Sequence, residues 1–387
     1  MFSKFLVLIA VFFVLLPSCK SNFDLRQIEK DRVLCQANFA MREIPITITA
    51  FRCPRSAGGL HDFYSEGDYW WPDPENPAGP YIRKDGLSNP DNFLKHRQML
   101  MRLSYYVPVL TAAYLLTDEK KYVKAVENHL TAWFIDPATK MNPNMLFAQA
   151  IKGRVTGRGI GIIDAVQLVE VAQAIRVLHE HRAINARTFR QVREWFRQFL
   201  HWITTHPYGI NERDHGNNHA TCWAVQVAAY ARLVGDSSQL EYVRRMFKTV
   251  LIPQQMAPDG SFPKELKRTK PYGYSLFNLQ AFTVLCALAA KNNDLWYFRL
   301  PDGRGMEKAV RFMFPYMRNK SRWPFKKDVM YWKQWPVRDL TLLFAAVKYH
   351  NSDYFKVWKK LPADPTDYEV LRNYFVRQPL LWQKELK

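Results

Sequence analysis

Two short segments gather residue types able to handle a carboxylate and move protons. The first runs Asp214-His215-Gly216-Asn217-Asn218-His219-Ala220-Thr221-Cys222-Trp223 and leads into an apolar stretch to Val234. Asparagine amides hydrogen-bond carboxylates or cap a helix start, and histidine exchanges a proton near neutral pH. The second runs from Asp259 to Tyr274 and carries Lys264, Lys267, Arg268 and Lys270 with the phenols Tyr272 and Tyr274, just before an apolar stretch. Together these types suit removal of a proton α to a carboxylate. Such a reaction needs a neutralised carboxylate, a base and a proton donor to the leaving oxygen. On a uronate sugar it is β-elimination. A tyrosine titrates at about 10 in water, so as a base it needs cations such as Arg268 and Lys270 to hold its phenolate. Taken singly, the first segment also reads as a capped helix with a satisfied histidine, and the second as a solvated basic loop.

A third stretch, from His61 to Asp91, is dense in Pro, Gly, Asp and aromatic residues. It cannot be a helix. Tyr69, Trp70 and Trp71 within it either stack on sugar rings or pin the loop to the body beneath.

The remaining chain must position these groups. From about residue 98 apolar residues recur at helical spacing, as in Leu168, Val171, Ala172, Ile175 and Leu178. A weak repeat of a small-residue helix, a polar turn and an amphipathic helix starts at Ala112, Val171, Ala228, Ala287 and Ala345. Intervals of roughly 55 to 60 residues fit a ring of helical hairpins. The expected fold is all-α: an incomplete α/α toroid with a long aromatic, Pro-rich N-terminal loop. Residues 1–18 are expected to be a signal peptide, 19–60 an N-terminal segment, and 61–387 the toroid domain including the loop 61–97.

The leader places Lys4 before the apolar run Phe5 to Leu16 and ends Pro17-Ser18-Cys19. This predicts export, and the order Leu16-Pro17-Ser18-Cys19 resembles a bacterial lipobox with Cys19 as the lipidated residue and membrane anchor. The expected location is the periplasm or the outer-membrane surface, with no later stretch suited to spanning a bilayer. Cys222 and Cys286 read as buried thiols; a Cys35–Cys53 bridge is open. Lys and Arg number 55 against 35 Asp and Glu, a net charge of +20. Such an excess predicts a polyanionic partner, and export favours an acidic polysaccharide over nucleic acid.

NNHATCW together with DGSFPKELKRTKPYGYSLFNL resembles the alginate lyase superfamily of α/α-toroid polysaccharide lyases, whose members depolymerise alginate or glucuronan. GDYWWPDPENPAGPYIRKDGL and FAQAIKGRVTGRGIGIID are similar to family sequence, so the likeness covers about residues 60 to 350. It implies that Asn218, His219 and Arg268 hold the substrate carboxylate. Tyr274 then takes the C5 proton and returns one to the glycosidic oxygen, with His219 the alternative base for a proton on the opposite face. Tyr69, Trp70, Trp71, Gln149, Arg158, Lys270 and Tyr272 are candidate substrate contacts, Tyr272 also contesting the catalytic assignment. No cofactor and no catalytic metal are expected. His215 and His219 stand four apart beside Asp214, but the glutamate of a zinc-protease motif is missing. Two rival functions stay open. One is an inverting glycoside hydrolase drawing on Asp68, Asp73, Asp214 and Glu265; the other is a glycan-binding lipoprotein without catalysis.

Overall fold

Helices that are apolar on every side must be enclosed, whereas helices with one apolar stripe can cover them. The chain alternates the two kinds. In the computed structural model, which describes residues 24–387, the enclosed helices are Lys95–Thr117, Leu168–Glu180, Asn218–Val234, Pro271–Ala289 and Thr341–Lys348. Pro271–Ala289 exposes almost nothing, and its Ala, Leu and Phe residues meet neighbours all round. Each enclosed helix is followed by a return helix: Lys120–Phe134, Ala186–Thr205, Ser237–Met246, Met306–Arg318 and Ser352–Lys360. Ala186–Thr205 shows the other pattern, burying Phe189, Val192, Trp195, Phe196, Phe199, Leu200 and Ile203 while its arginines face outward. Asn185 caps it by accepting from the backbone N–H of Arg187 and Thr188.

The enclosed helices pack on one another in sequence order, which makes the expected open toroid of helical hairpins. Helix Leu25–Ala40 lies against Lys95–Thr117, and the C-terminal residues bridge the ring opening, 379–382 touching Leu25–Ala40, Lys95–Thr117 and Leu168–Glu180 and 383–386 touching Pro271–Ala289 and Thr341–Lys348. The expected signal peptide and the expected lipidation site, Cys19, fall outside the described residues.

The aromatic loop contains no helix. Tyr64–Glu66 pairs in parallel with Phe147–Ala150, and Trp70–Trp71 pairs antiparallel with Ile82–Arg83 to form a small hairpin. One expectation needs correcting and one open pairing is resolved. Lys95–Thr117 is long and apolar enough to cross a bilayer by composition, yet most of it is buried inside the ring. Cys35 and Cys53 are not bridged: both are free thiols, the first exposed and the second buried. Cys222 and Cys286 are buried thiols as expected.

Gly209 sits in the short helix Pro207–Arg213, where a Cβ would fall on the carbonyl oxygen of Ile203. Gly209→Ala is therefore expected to cost about 1–3 kcal/mol, read as a lower melting temperature. The same change should lower activity, because this helix carries Glu212, described next.

Candidate active site

The helix that begins at Asn218 starts with a cap: Asn217 accepts the backbone N–H of His219 at 3.1 Å. Capping fixes the first turn, and two buried glutamates then orient its side chains. Glu265 takes the backbone N–H of Asn218 at 2.9 Å and its side-chain amide at 2.7 Å. Glu212 takes Nδ1–H of His219 at 2.9 Å, which leaves Nε2 for other work. Burial pushes both carboxyl groups up, against the opposing pull of His219 on Glu212 and of Asn218 on Glu265. His215 packs edge-on to His219 with ring centres 4.9 Å apart. Burial, then the positive field of His219, Lys264, Arg268 and Arg158, holds the His215 imidazole down at about 4. His215 is thus neutral at physiological pH.

The basic loop supplies the opposite side. Tyr274 lies in the first turn of Pro271–Ala289, and its hydroxyl is shared by two groups. Nη2 of Arg268 donates to it at 3.2 Å, and the hydroxyl of Tyr69 lies 2.5 Å away. The Arg268 guanidinium also stands 4.3 Å from the Tyr274 ring centre. Lys270 Nζ lies 5.0 Å from the ring centre of Tyr69 and 5.5 Å from that of Tyr274. Burial pushes the Tyr69 phenol well up, which favours its protonated form.

The aromatic hairpin is locked onto this loop. Asp85 pairs with Arg268 at 3.1 Å and accepts from the Thr269 hydroxyl at 3.0 Å. Gly86, with φ +79°, lies so close to Thr269 that a side chain there would collide with it. Trp70 and Trp71 are half-buried, and the indole N–H of Trp71 donates to the Leu87 carbonyl. Gln149 adopts a left-handed φ of +51° in the strand beside the hairpin, held by a bond from its N–H to Ser65. Its carbonyl and side-chain oxygens each accept from Arg158 at 3.0 Å.

The structure therefore brings Tyr69, Arg268, Lys270 and Tyr274 together on one side, and Asn218 and His219 on the other. Tyr272 does not join them. Its ring is fully buried against Trp323, and its hydroxyl donates to the Tyr316 carbonyl at 3.0 Å, so the expected substrate contact there is replaced by packing. Two residues along a helix turn the side chain to the far face. Lys270 is also corrected in part: it is buried, its charge is met by Glu369 at 2.7 Å, and it lies beside the rings of Tyr69 and Tyr274. The carboxylates considered for hydrolysis are all engaged elsewhere. Asp68 pairs with Arg97 and Arg372, Asp214 with Arg213, Glu265 with Asn218, and Asp73 accepts a backbone N–H in its own turn.

Glu212, Asp85 and Glu369 escaped the sequence reading. Glu265 did have a signal, since it stands in the same motif as Arg268, but its partner is 47 residues away.

A tyrosine hydroxyl under an arginine, with an Asn-His pair held by two buried glutamates in an α/α toroid, is the arrangement of a polysaccharide lyase. The sequence profile of the alginate lyase family matches residues 47–323, more than half of the chain, and the chain belongs to that family. Among solved structures, an alginate lyase from Bacteroides ovatus is 29% identical, covering 92% of this chain and 93% of that one, with a TM-score of 0.79. Alginate lyase A1-III from Sphingomonas species A1 is 14% identical over 90% of this chain and 94% of its own, with a TM-score of 0.53. A histidine-to-alanine form of A1-III complexed with a tetrasaccharide is 13% identical over 90% and 93%, with a TM-score of 0.56. At such identities the likeness to A1-III is one of fold. Curated proteins give no significant match.

Burial opposes the charge on Asp85, but Arg268 overrides it and holds the carboxyl down at about 2. A depressed value means that the pair stabilises the fold above the usual carboxylate range and is lost as pH falls through about 2. The melting-temperature gap between the native protein and Asp85→Asn should hence be constant from neutral pH to about 5 and shrink below about 4. The same variant should lose roughly tenfold or more in kcat/KM, because a hydrogen bond to a charged group is worth about 1.5–3 kcal/mol.

Proposed function

We propose that the protein cleaves alginate, or the related polymers polymannuronate and glucuronan, by β-elimination to unsaturated oligosaccharides. The observation that carries this is the sharing of the Tyr274 oxygen between Arg268 and Tyr69. Two donors on one phenol oxygen stabilise its deprotonated form, which a base needs. Asn218, His219 and Arg268 receive the substrate carboxylate and take up the charge that develops when the C5 proton leaves. The Tyr274 phenolate accepts that proton, the electron pair forms the C4–C5 double bond, and the C4–O bond breaks. The new phenol then returns the proton to the departing glycosidic oxygen, restoring the phenolate. Glu212 holds His219 by Nδ1, so Nε2 is the atom available to substrate. That placement also supports His219 as base where the C5 hydrogen lies on the opposite face.

The lipobox-like leader supports export and attachment through Cys19, at the periplasmic or outer-membrane surface. Cys19→Ala should move the protein from the membrane fraction to the soluble one.

Assays on mannuronan, guluronan, glucuronan and glycosaminoglycans, read by ultraviolet absorbance of the new double bond, should show activity on the polymers built of uronates alone and none on glycosaminoglycans, whose uronates alternate with amino sugars. Tyr274→Phe should lower kcat about 10²- to 10⁴-fold with its fold intact, as expected for loss of acid–base catalysis. Tyr272→Phe should keep near-native kcat and lose stability, because it leaves the Tyr316 carbonyl without its donor. Activity surviving in Tyr274→Phe and absent in Tyr272→Phe would refute this assignment.

A further inference from the structure

A cavity of about 660 Å³ opens beside the hairpin, lined by Arg55, Tyr64, Glu66, Tyr208 and the loop from Ala150 to Gly157. Its size is in the range of pockets that hold an organic ligand. Arg55 is tied to Glu66 at 2.5 Å, so these two charges offset each other. Lys152 and Arg154 are different: among the described residues no carboxylate pairs with either. Both lie over aromatic rings of the hairpin instead. Lys152 Nζ is 5.5 Å from the centre of Tyr81 and the Arg154 guanidinium 5.2 Å from that of Trp70, while Nε of Arg154 donates to the Tyr81 carbonyl at 2.7 Å. Two cations with aromatic partners and no counter-ion form a surface for an anion carried on an apolar ring.

The loop that lines the cavity reaches toward the catalytic centre at one indole, that of Trp70. Arg158 stands 5.9 Å from the same Trp70 ring, and its charge is felt at both His215 and Glu212. The cavity loop is also seated on the hairpin. Gly153, with φ +72°, has room for no side chain because a Cβ would lie 2.8 Å from Pro80. Hairpin and loop are thus in direct contact, Gly153 against Pro80 and Arg154 on the Tyr81 carbonyl.

We propose that this cavity is a distal subsite that holds uronate residues of the polymer beyond the one being cleaved, with Lys152 and Arg154 receiving their carboxylates. It rests on the lyase function above and extends it to the preference for chain length. A carboxylate repeats on every residue of a polyuronate, so a longer chain reaches this second set of cations while a short one does not.

The test compares kcat/KM for polymeric alginate with kcat/KM for the shortest oligomer cleaved, in the native protein and in Lys152→Ala/Arg154→Ala. The loss on polymer is expected to exceed that on the short chain by about tenfold, mostly in KM, which is about 1.4 kcal/mol for two exposed contacts. Equal losses on both substrates, or none on either, would overturn the subsite. Affinity electrophoresis in gels containing alginate separates this outcome from a failure of the lyase function. The double change should reduce retardation of the Tyr274→Phe protein, whose binding needs no turnover; unchanged retardation would overturn the subsite even where the kinetic assay gives no signal.

Discussion

A buried chain of alternating charges holds the active face together. It runs Lys270–Glu369–Arg372–Asp68–Arg97–Asp164, with separations of 2.7 Å for Lys270–Glu369, 2.7 Å for Arg97–Asp68 and 3.0 Å for Arg97–Asp164. Its members come from the basic loop, the C-terminal segment, the hairpin, the first ring helix and the segment before the second. Burial opposes the charge on Asp68 and Glu369, yet their cations hold both carboxyls below the usual range. Each charge is tolerable only because its neighbours are present; removing one partner of such a pair costs about 3–5 kcal/mol. The chain is therefore a positional constraint. Asp68 fixes the root of Tyr69, and Glu369 fixes Lys270 beside the two phenol rings.

The reaction surface inherits this order. Tyr274 is held by its helix, Tyr69 by the hairpin, and Arg268 by Asp85, so three separate segments meet at one oxygen. On the other side Glu212 and Glu265 play the same role for His219 and Asn218. Their carboxylates accept specific N–H groups, which leaves Nε2 of His219 directed away from Glu212 and holds the Asn218 amide through one of its two N–H bonds. Groups so fixed lose little entropy when substrate arrives, and the positive charge left over suits a polyanion.

What the sequence determined by itself rests on local chemistry. The alternation of small-residue and amphipathic helices pointed to hairpins enclosing one another, the Pro- and Gly-rich stretch forbade a helix, and the +20 charge predicted an anionic partner. The two motifs also contained Asn218, His219, Arg268 and Tyr274, because each pair is separated by a few residues on one turn or loop. Between Tyr272 and Tyr274 the residue types alone were silent, since both are phenols at the same helix start, and only the family resemblance favoured Tyr274. The tertiary structure decided it by packing Tyr272 against Trp323 and turning Tyr274 toward Arg268. It also decided the roles of Glu212, Asp85 and Glu369, and the pairing of Lys270 with Glu369, 99 residues away. Helical periodicity is a short-range property and can be read along the chain. Ion pairs and hydrogen bonds across the ring depend on distances that exist only after the hairpins have closed upon one another.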